Sequence, residues 1–496
     1  LLNLCGGEKL TLLPRRRKQR PIRRQHRDVG PAIQKYNCCQ PGAPRLLDFV
    51  DSLAGYDPRA GERSRMFLRL LDGNFLRSRP PRPVTSMTIV RPAMILAIAA
   101  SLGTAQAEDW PTWRHDNHRS GTSSEQLDAA SLTLSWVFRE STPPQPAWHG
   151  TMQRDTWGNV AKPKEARAYD KAFNLVAAQG KVFVASSSGN ACVALDAVEG
   201  RETWRHNVQG AVRIAPAYDQ GRVYFGSDDG QAYCVTSDTG TRVWSFRGSS
   251  DKTLIPADHK FISRYPCRTG VLVQGDNAYC GFGLLPWQDN HLASLNALTG
   301  TTNYNKTVAA AQWYSMEGPM LASSDRLFVL QGRVSPISFQ LSDGTFLGRL
   351  PGGGGTFAVL TPDSKLIHGP GHGNNTWAKS RTFHLQESNA VSRANIARHS
   401  RAHRVLVNGS TRYYVIREAI QATGGSSWVQ TMREPETLIL GGTILYVGGR
   451  NEIRCFHASN GSLLRTLPVE GVVHCLALAD GRLFASTHSG KIYAFE

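Results

Sequence analysis

The chain has 496 residues, 57 Lys and Arg against 39 Asp and Glu, and a formal net charge of +18. The excess is uneven: residues 1–107 carry 19 basic and 7 acidic residues, two thirds of the surplus. The high charge therefore does not assign a nucleic-acid partner to the remainder.

Residues 1–86 hold "PRRRKQRPIRRQHR" at Pro14–Arg27 and "RSRPPRP" at Arg77–Pro83, with no sustained helical or strand period. Three readings compete: sequence upstream of the true start, a nucleic-acid-binding or nuclear-import arm, and a disordered extension. The segment beginning at Met87 favours the first. "MTIVRPAMILAIAASLGTAQAEDW" has Arg91, an apolar run from Ala93 to Leu102, and small residues at Ala105-Gln106-Ala107. That is the layout of a secretory signal peptide at 87–107. The apolar run is shorter than the roughly 20 residues that span a bilayer. The expectation is an exported protein, periplasmic or extracellular, with no transmembrane segment in the processed chain.

Residues 108–496 contain Cys192, Cys234, Cys267, Cys280, Cys455 and Cys475. None has the Cys-x-x-Cys spacing of a zinc or redox site. Four lie in strand-like runs and are expected to be small buried hydrophobes.

A repeat explains the length. "GKVFVASSSGNACVALDAVEGRETWRH" (Gly180–His206) and "GRVYFGSDDGQAYCVTSDTGTRVWSFR" (Gly221–Arg247) share one plan. A strand leads to a Ser/Asp/Gly turn, then a second strand, an acidic-Gly turn, and a strand carrying tryptophan. Further copies begin at Gly275, Ser324, Gly441 and Asp480, with degenerate ones at Asp363–Gln386 and His403–Gln430. Short alternating strands joined by Gly, Asp and Ser turns make four-stranded sheets, which bury both faces only by stacking radially. The period is that of a β-propeller blade; no copy has the 3.6-residue period of a helical solenoid. The expected fold is all-β, an eight-bladed propeller of four-stranded antiparallel blades. Trp204 and Trp244 are expected to wedge between neighbouring blades. The last copy lacks its tryptophan strand, and "LTLSWVF" (Leu132–Phe138) is a tryptophan strand without a blade. It is expected to complete the last blade and close the ring.

"ALDAVEGRETW", "TSDTGTRVW" and "LNALTG" resemble the Ala-x-Asp-x-x-Thr-Gly-x-x-x-Trp signature of PQQ-like (pyrroloquinoline quinone-type) propeller repeats, and "EDWPTWRHDNHRSG" (Glu108–Gly121) is similar to the start of secreted bacterial proteins of that class. The resemblance covers most of 110–496 and weakens between about 371 and 432. It implies a propeller fold and two functions. One is a non-catalytic binding or scaffold module in the periplasm or at the cell surface, as in outer-membrane assembly factors. The other is a quinoprotein dehydrogenase that oxidises an alcohol or sugar with PQQ and calcium. Such enzymes typically use a catalytic Asp with Glu and Asn metal ligands, and many carry a vicinal disulfide. None of these residues transfers to this sequence, and the single Cys-Cys pair, Cys38-Cys39, lies upstream of the signal peptide. The reading therefore leans to no enzyme, no catalytic or metal residues, and no required cofactor, with PQQ and calcium as the alternative. A hydrolase would need paired carboxylates in the funnel, whereas Asp196, Asp228, Asp229 and Asp238 read as turn residues bonding their own backbone.

Three motifs take plain readings. "PGGGGTFAVL" from Pro351 lacks the Lys-Ser/Thr of a phosphate loop and reads as a turn between blades; "HGPGHG" (His368–Gly373) reads as a loop; "ARHSRAHR" (Ala397–Arg404) reads as a solvated linker. A candidate ligand rim lies on the funnel face. The long loops "KFISRYPCRTG" (Lys260–Gly270) and "LLPWQDNH" (Leu284–His291) flank the copy at Gly275 and bring Arg264, Arg268, Trp287, Asp289 and His291 together. Arg213 could join from another copy. A planar anionic ligand or an acidic segment of a protein partner would stack on Trp287 and pair with the arginines; the plain alternative is that they are architecture. The processed protein is expected to act as a monomer.

Overall fold

The computed structural model describes residues 108–147, 154–155, 160–161, 170–257, 260–332, 334–352, 354–370 and 384–496. All belong to the unit Ala97–Glu496. Readings of the arginine-rich stretch, the leader and His372 fall outside the described residues.

The repeats fold into eight four-stranded antiparallel blades. Six are separate sheets, beginning at Leu175, Ala217, Val271, Leu321, Phe357 and Ala402. The seventh and eighth share the long strand Leu463–Ala479, whose first part is the outer strand of one blade and whose second part is the inner strand of the next. The innermost strands of neighbouring blades pack side by side around a central channel. Among the described residues the single helical element is one 3-10 turn, Ala310–Gln312. No helix there is long and apolar enough to cross a membrane.

The ring closes as the sequence suggested. Leu134–Arg139 pairs antiparallel with Lys491–Phe495, with Trp136 opposite Ala494. Thr133 and Glu496 exchange backbone hydrogen bonds of 2.8 and 3.0 Å. The chain's first blade-forming strand is thus the outer strand of its last blade.

One device recurs between blades. Indole Nε1 of Trp136, Trp204, Trp244 and Trp428 donates to Ala197 O, Ser237 O, Ala297 O and Ala458 O of the following blade, at 2.8 to 3.0 Å. Each ring lies over the glycine that ends that blade's turn between its third and outer strands, Gly200, Gly240, Gly300 and Gly461. A Cβ on Gly240 would sit 2.6 Å from the Trp204 ring, and φ there is +68°, so the position requires glycine twice over. The wedge is therefore also a hydrogen bond, which satisfies an indole N–H that burial would otherwise leave unpaired. Tyr304 repeats the arrangement, its hydroxyl donating to Leu341 O at 3.3 Å over Gly344.

The joint between the two degenerate copies uses charge instead. Between the fifth and sixth blades, Glu387, 1% exposed, accepts both guanidinium nitrogens of Arg412 at 2.7 and 3.0 Å. It also lies 2.7 Å from His399 Nε2. Burial opposes ionisation of Glu387, but His399 and Arg412 outweigh it and lower its carboxyl to about 2. "ARHSRAHR" is accordingly not a linker: it forms the outer strand Asn395–Ser400 and the start of the inner strand Ala402–Asn408. Its polar composition hid two strands: Arg398, Ser400 and Arg401 are exposed, whereas His399 reaches the buried Glu387 and Arg404 lies 3.6 Å from Glu436. The six cysteines of this region are all buried free thiols.

A chain that begins after Glu140 should melt well below the full chain and aggregate, because it exposes the edge of Lys491–Phe495. Equal melting temperatures in differential scanning calorimetry would refute closure by this strand.

Candidate functional site in the central channel

Each innermost strand runs the same way through the ring, so the residues that begin these strands share one face, called here the upper face. Those that end them share the lower face. Two polar clusters occupy the upper part of the channel.

The first joins the second and third blades. Arg213 Nε donates to Asp228 Oδ2 at 2.7 Å, while Arg268 Nε donates to Oδ1 at 2.7 Å and its Nη2 to Oδ2 at 3.1 Å. Arg213 also reaches Asp170, 3.3 Å away, and Gln145 O at 2.6 Å. All three members of the triad are 5% exposed or less. Burial would raise the Asp228 carboxyl, but Arg268 and Arg213 outweigh it and lower it to about 2. Asp228 stands in a turn, as expected, yet its carboxylate bonds two arginines rather than its own backbone. Its neighbour Asp229 does cap the turn, accepting Gln231 N–H at 3.0 Å.

The second cluster joins the sixth, seventh and eighth blades. Glu436 lies 3.6 Å from Arg404 Nη2, and 3.9 Å from both His403 Nε2 and His474 Nδ1. Burial pushes both imidazoles down to about 4, so they are neutral at pH 7. Arg404, Glu436 and their histidines gave no sequence motif; the signal was positional, at the first residues of the innermost strands.

The floor below them is the segment Trp110–Glu125. Trp110 forms an antiparallel bridge with Ala177 in the first blade. Tyr218 N–H donates to Pro111 O at 2.7 Å in the second, and Asn117 Nδ2 donates to Val273 O at 2.7 Å in the third. Ala322, Leu360 and Leu440 donate their backbone N–H groups to Asn117 O, His118 O and Gly121 O, in the fourth, fifth and seventh blades. Arg114 reaches Val405 O in the sixth, and Glu125 accepts Gly481 N–H in the eighth. The guanidinium groups of Arg114 and Arg119, on residues 6% and 3% exposed, bond backbone carbonyls such as Leu438 O at 3.2 Å and Met320 O at 2.8 Å. Burial lowers them to about 9 and about 10, so both remain cations at neutral pH. Phe357 is flanked by Arg114 and Arg404, 5.1 and 5.4 Å from its ring centre. The space left between this plug and the channel walls is about 30 Å³, bounded by Trp113, Arg114, Asn174, Phe357, Arg404 and His474.

The structure divides the six rim residues read from the sequence. Arg213 and Arg268 meet, but inside, on Asp228. Arg264 and Trp287 remain outside: the Arg264 side chain is 43% exposed and lies 3.5 Å from Asp251, and Trp287 is 61% exposed. Gln288 joins their loops, accepting from Arg264 Nε and donating to Arg264 O, each at 3.0 Å. Asp289 accepts Ala310 N–H at 2.7 Å and so ties this loop to the turn bearing Trp313. His291 packs on Tyr265, 5.4 Å between ring centres. Among the described residues no group of three or more His, Cys, Asp or Glu is placed to hold a metal ion.

Eight radial sheets around a channel define the class, a β-propeller. Comparison with known proteins agrees. The chain is similar to the quinohemoprotein alcohol dehydrogenase ADHIIG of Pseudomonas putida HK5, with 10% identity, 78% of this chain and 80% of that one covered, and a TM-score of 0.57. It is also similar to a europium-containing methanol dehydrogenase, with 9% identity, coverage of 78% and 98%, and a TM-score of 0.54. BamB from Moraxella catarrhalis aligns at 12% identity over 74% and 99% of the chains, with a TM-score of 0.38, too loose a likeness to argue from. A family model described as outer membrane protein assembly factor BamB matches residues 145–344. No curated protein matches. With the family model matching residues 145–344 and the tandem signature there, that part of the chain is similar to the PQQ-like repeat proteins, and the fold is a β-propeller.

Replacing Asp228 by Ala leaves two buried guanidinium groups short of their shared carboxylate and should cost about 3–5 kcal/mol in chemical denaturation. Because its folded pKa is depressed, Asp228 stabilises the native state above its unfolded value near 4 and loses that contribution as pH falls toward about 2. Glu387 behaves alike over the same window. Acid unfolding midpoints should therefore shift upward in Glu387→Gln; an unchanged midpoint would refute this assignment.

Proposed function

We propose that the protein is a non-catalytic binding propeller of the periplasm or cell surface, which receives a protein partner on its upper face. The supporting observation is the filled channel. Ligand pockets enclose roughly 300–1,000 Å³, whereas the cavity above the plug holds about 30 Å³; the roomier cavity, about 420 Å³, lies on the lower side against Glu108–Asn117, away from the upper clusters. The cationic side chains that could meet an anionic ligand there already bond carboxylates or carbonyls of this chain. The described residues do not fit a tricyclic quinone with calcium.

The outer rim offers what the channel does not. Among the described residues, the exposed aromatic side chains are Phe261, Trp287 and Trp313, 70%, 61% and 54% exposed. All three stand on upper-face loops around the third blade, on loops tied by Gln288 and Asp289. Phe261 shares one face of the hairpin Leu254–Ala257/Lys260–Ser263 with Leu254, itself 59% exposed. Aromatic anchors beside an arginine are the composition of interface centres, and clustered apolar exposure on a soluble surface marks a contact site.

Two measurements test this. Titration with PQQ and calcium should give no stoichiometric quinone absorbance and no alcohol-dependent dye reduction; either signal would promote the dehydrogenase reading. Arg264→Ala/Trp287→Ala should keep the wild-type melting temperature and lose the protein recovered in stoichiometric amount with wild type. A double variant that unfolds would make these residues architecture.

A further inference from the structure

Glu125 is a buried carboxylate that lacks a cation. It is 3% exposed. Its Oε1 accepts Gly481 N–H at 2.5 Å, and its Oε2 accepts the backbone N–H of Glu108 at 3.2 Å. Among the described residues no lysine, arginine or histidine pairs with it, and its charged neighbours are Asp480 and Glu108, both anionic. Burial holds the carboxyl above the usual range, and those two carboxylates push it the same way. Isolated buried charge of this kind is destabilising and calls for a partner.

The nitrogen that Glu125 faces is not an ordinary one. Glu108 directly succeeds Ala105-Gln106-Ala107, the small-residue end of the leader-like segment. Its position is fixed independently of Glu125. Its Oε2 accepts Ser123 Oγ at 2.6 Å and Ser124 N–H at 2.9 Å, and its Oε1 lies 3.1 Å from His115 Nε2.

We propose that Ala107–Glu108 is a processing site and that Glu125 is the preformed receptor for the N-terminus it creates. Water, delivered by an exogenous leader-removing endopeptidase, adds across the amide. The C–N bond breaks, Ala107 takes water's oxygen and departs as a carboxylate, and the Glu108 nitrogen takes up both of water's protons. A neutral N–H becomes an α-ammonium at the same distance from Glu125, giving a charge-assisted bond in a site sheltered from solvent. Cleavage one residue earlier or later would move the ammonium by about 3.8 Å and forfeit the pair. The residues that lead into the plug thereby gain, on processing, a charge-assisted anchor in place of a neutral N–H bond.

The test uses the full chain in an exporting bacterium. N-terminal sequencing and intact mass of the exported product should give Glu108 as the first residue. Melting temperatures are then measured from pH 6 to 10 for wild type, Glu125→Gln, the cleavage-blocked Ala105→Leu/Ala107→Leu, and the combined variant. An α-amine ordinarily titrates near about 8. Pairing raises that value, so the added stability is complete below about 8 and disappears as pH rises through the raised value. Processed wild type should show this alkaline fall, and the other three should not. Glu125→Gln should lower the melting temperature of the processed form but raise that of the blocked form, since there it removes an uncompensated charge. A packing role would give one sign in both. A different N-terminus, or the same sign in both forms, overturns the proposal. If Glu125→Gln does not accumulate, identical pH profiles for wild type and the blocked chain overturn it.

Discussion

A propeller's difficulty is its axis. Eight innermost strands each turn one edge toward the channel, and an unpaired strand edge is a row of donors and acceptors that must be satisfied. Here the solution is a single stretch of the same chain, Trp110–Glu125, whose carbonyls, amides and side chains meet every blade in turn. This makes the channel floor part of the fold rather than a vestibule. The two upper clusters depend on it: with the axis filled, the charged residues that begin the innermost strands turn to one another, and they persist only because each cation finds a carboxylate or carbonyl.

The ring's circumference is held by a different set of contacts. Where a blade carries a tryptophan on its outer strand, a single side chain supplies apolar area, a hydrogen bond and shape complementarity to a glycine turn. Where the tryptophan is lost, as between the fifth and sixth blades, the buried Glu387 with Arg412 and His399 takes its place. The first kind of joint is indifferent to pH; the second is not. Around the circumference, acid sensitivity therefore enters at the joint that departs most from the repeat, in addition to that of the buried Asp228 triad at the axis.

The repeat was legible because its physics is local: strand alternation, turns that demand glycine, and a tryptophan at fixed spacing from each turn. Ring closure was legible for the same reason, as an orphan Trp136 strand matched a blade that lacked one. The plug was not. "EDWPTWRHDNHRSG" has no period, and Arg114, His115 and Arg119 adopt positive φ, a conformation that sequence pattern does not announce for such residues. Nor could spacing tell that Arg268 would turn inward to Asp228 while Arg264, four residues before it, stays at the surface. Both lie in one irregular loop, where side-chain direction is set by the neighbouring blade rather than by strand alternation. The strands in "ARHSRAHR" escaped because a polar run was read as irregular, although the outer strand of a blade can stay largely exposed.

Closure by the first strand also fixes a sequence of events. Thr133 and Glu496, 363 positions apart, bond one another. At ribosomal rates of about 5–20 residues per second, roughly 20–70 s pass between the emergence of one partner and the other. Throughout that interval the plug and its tryptophan strand exist without the eighth blade, while the intervening blades can assemble pairwise. The pairing of Leu134–Arg139 with Lys491–Phe495 thus cannot form until the whole propeller sequence has been made. Until it occurs, both edges of an open arc of blades are available to other chains, so the nascent protein depends on whatever shields strand edges in its compartment.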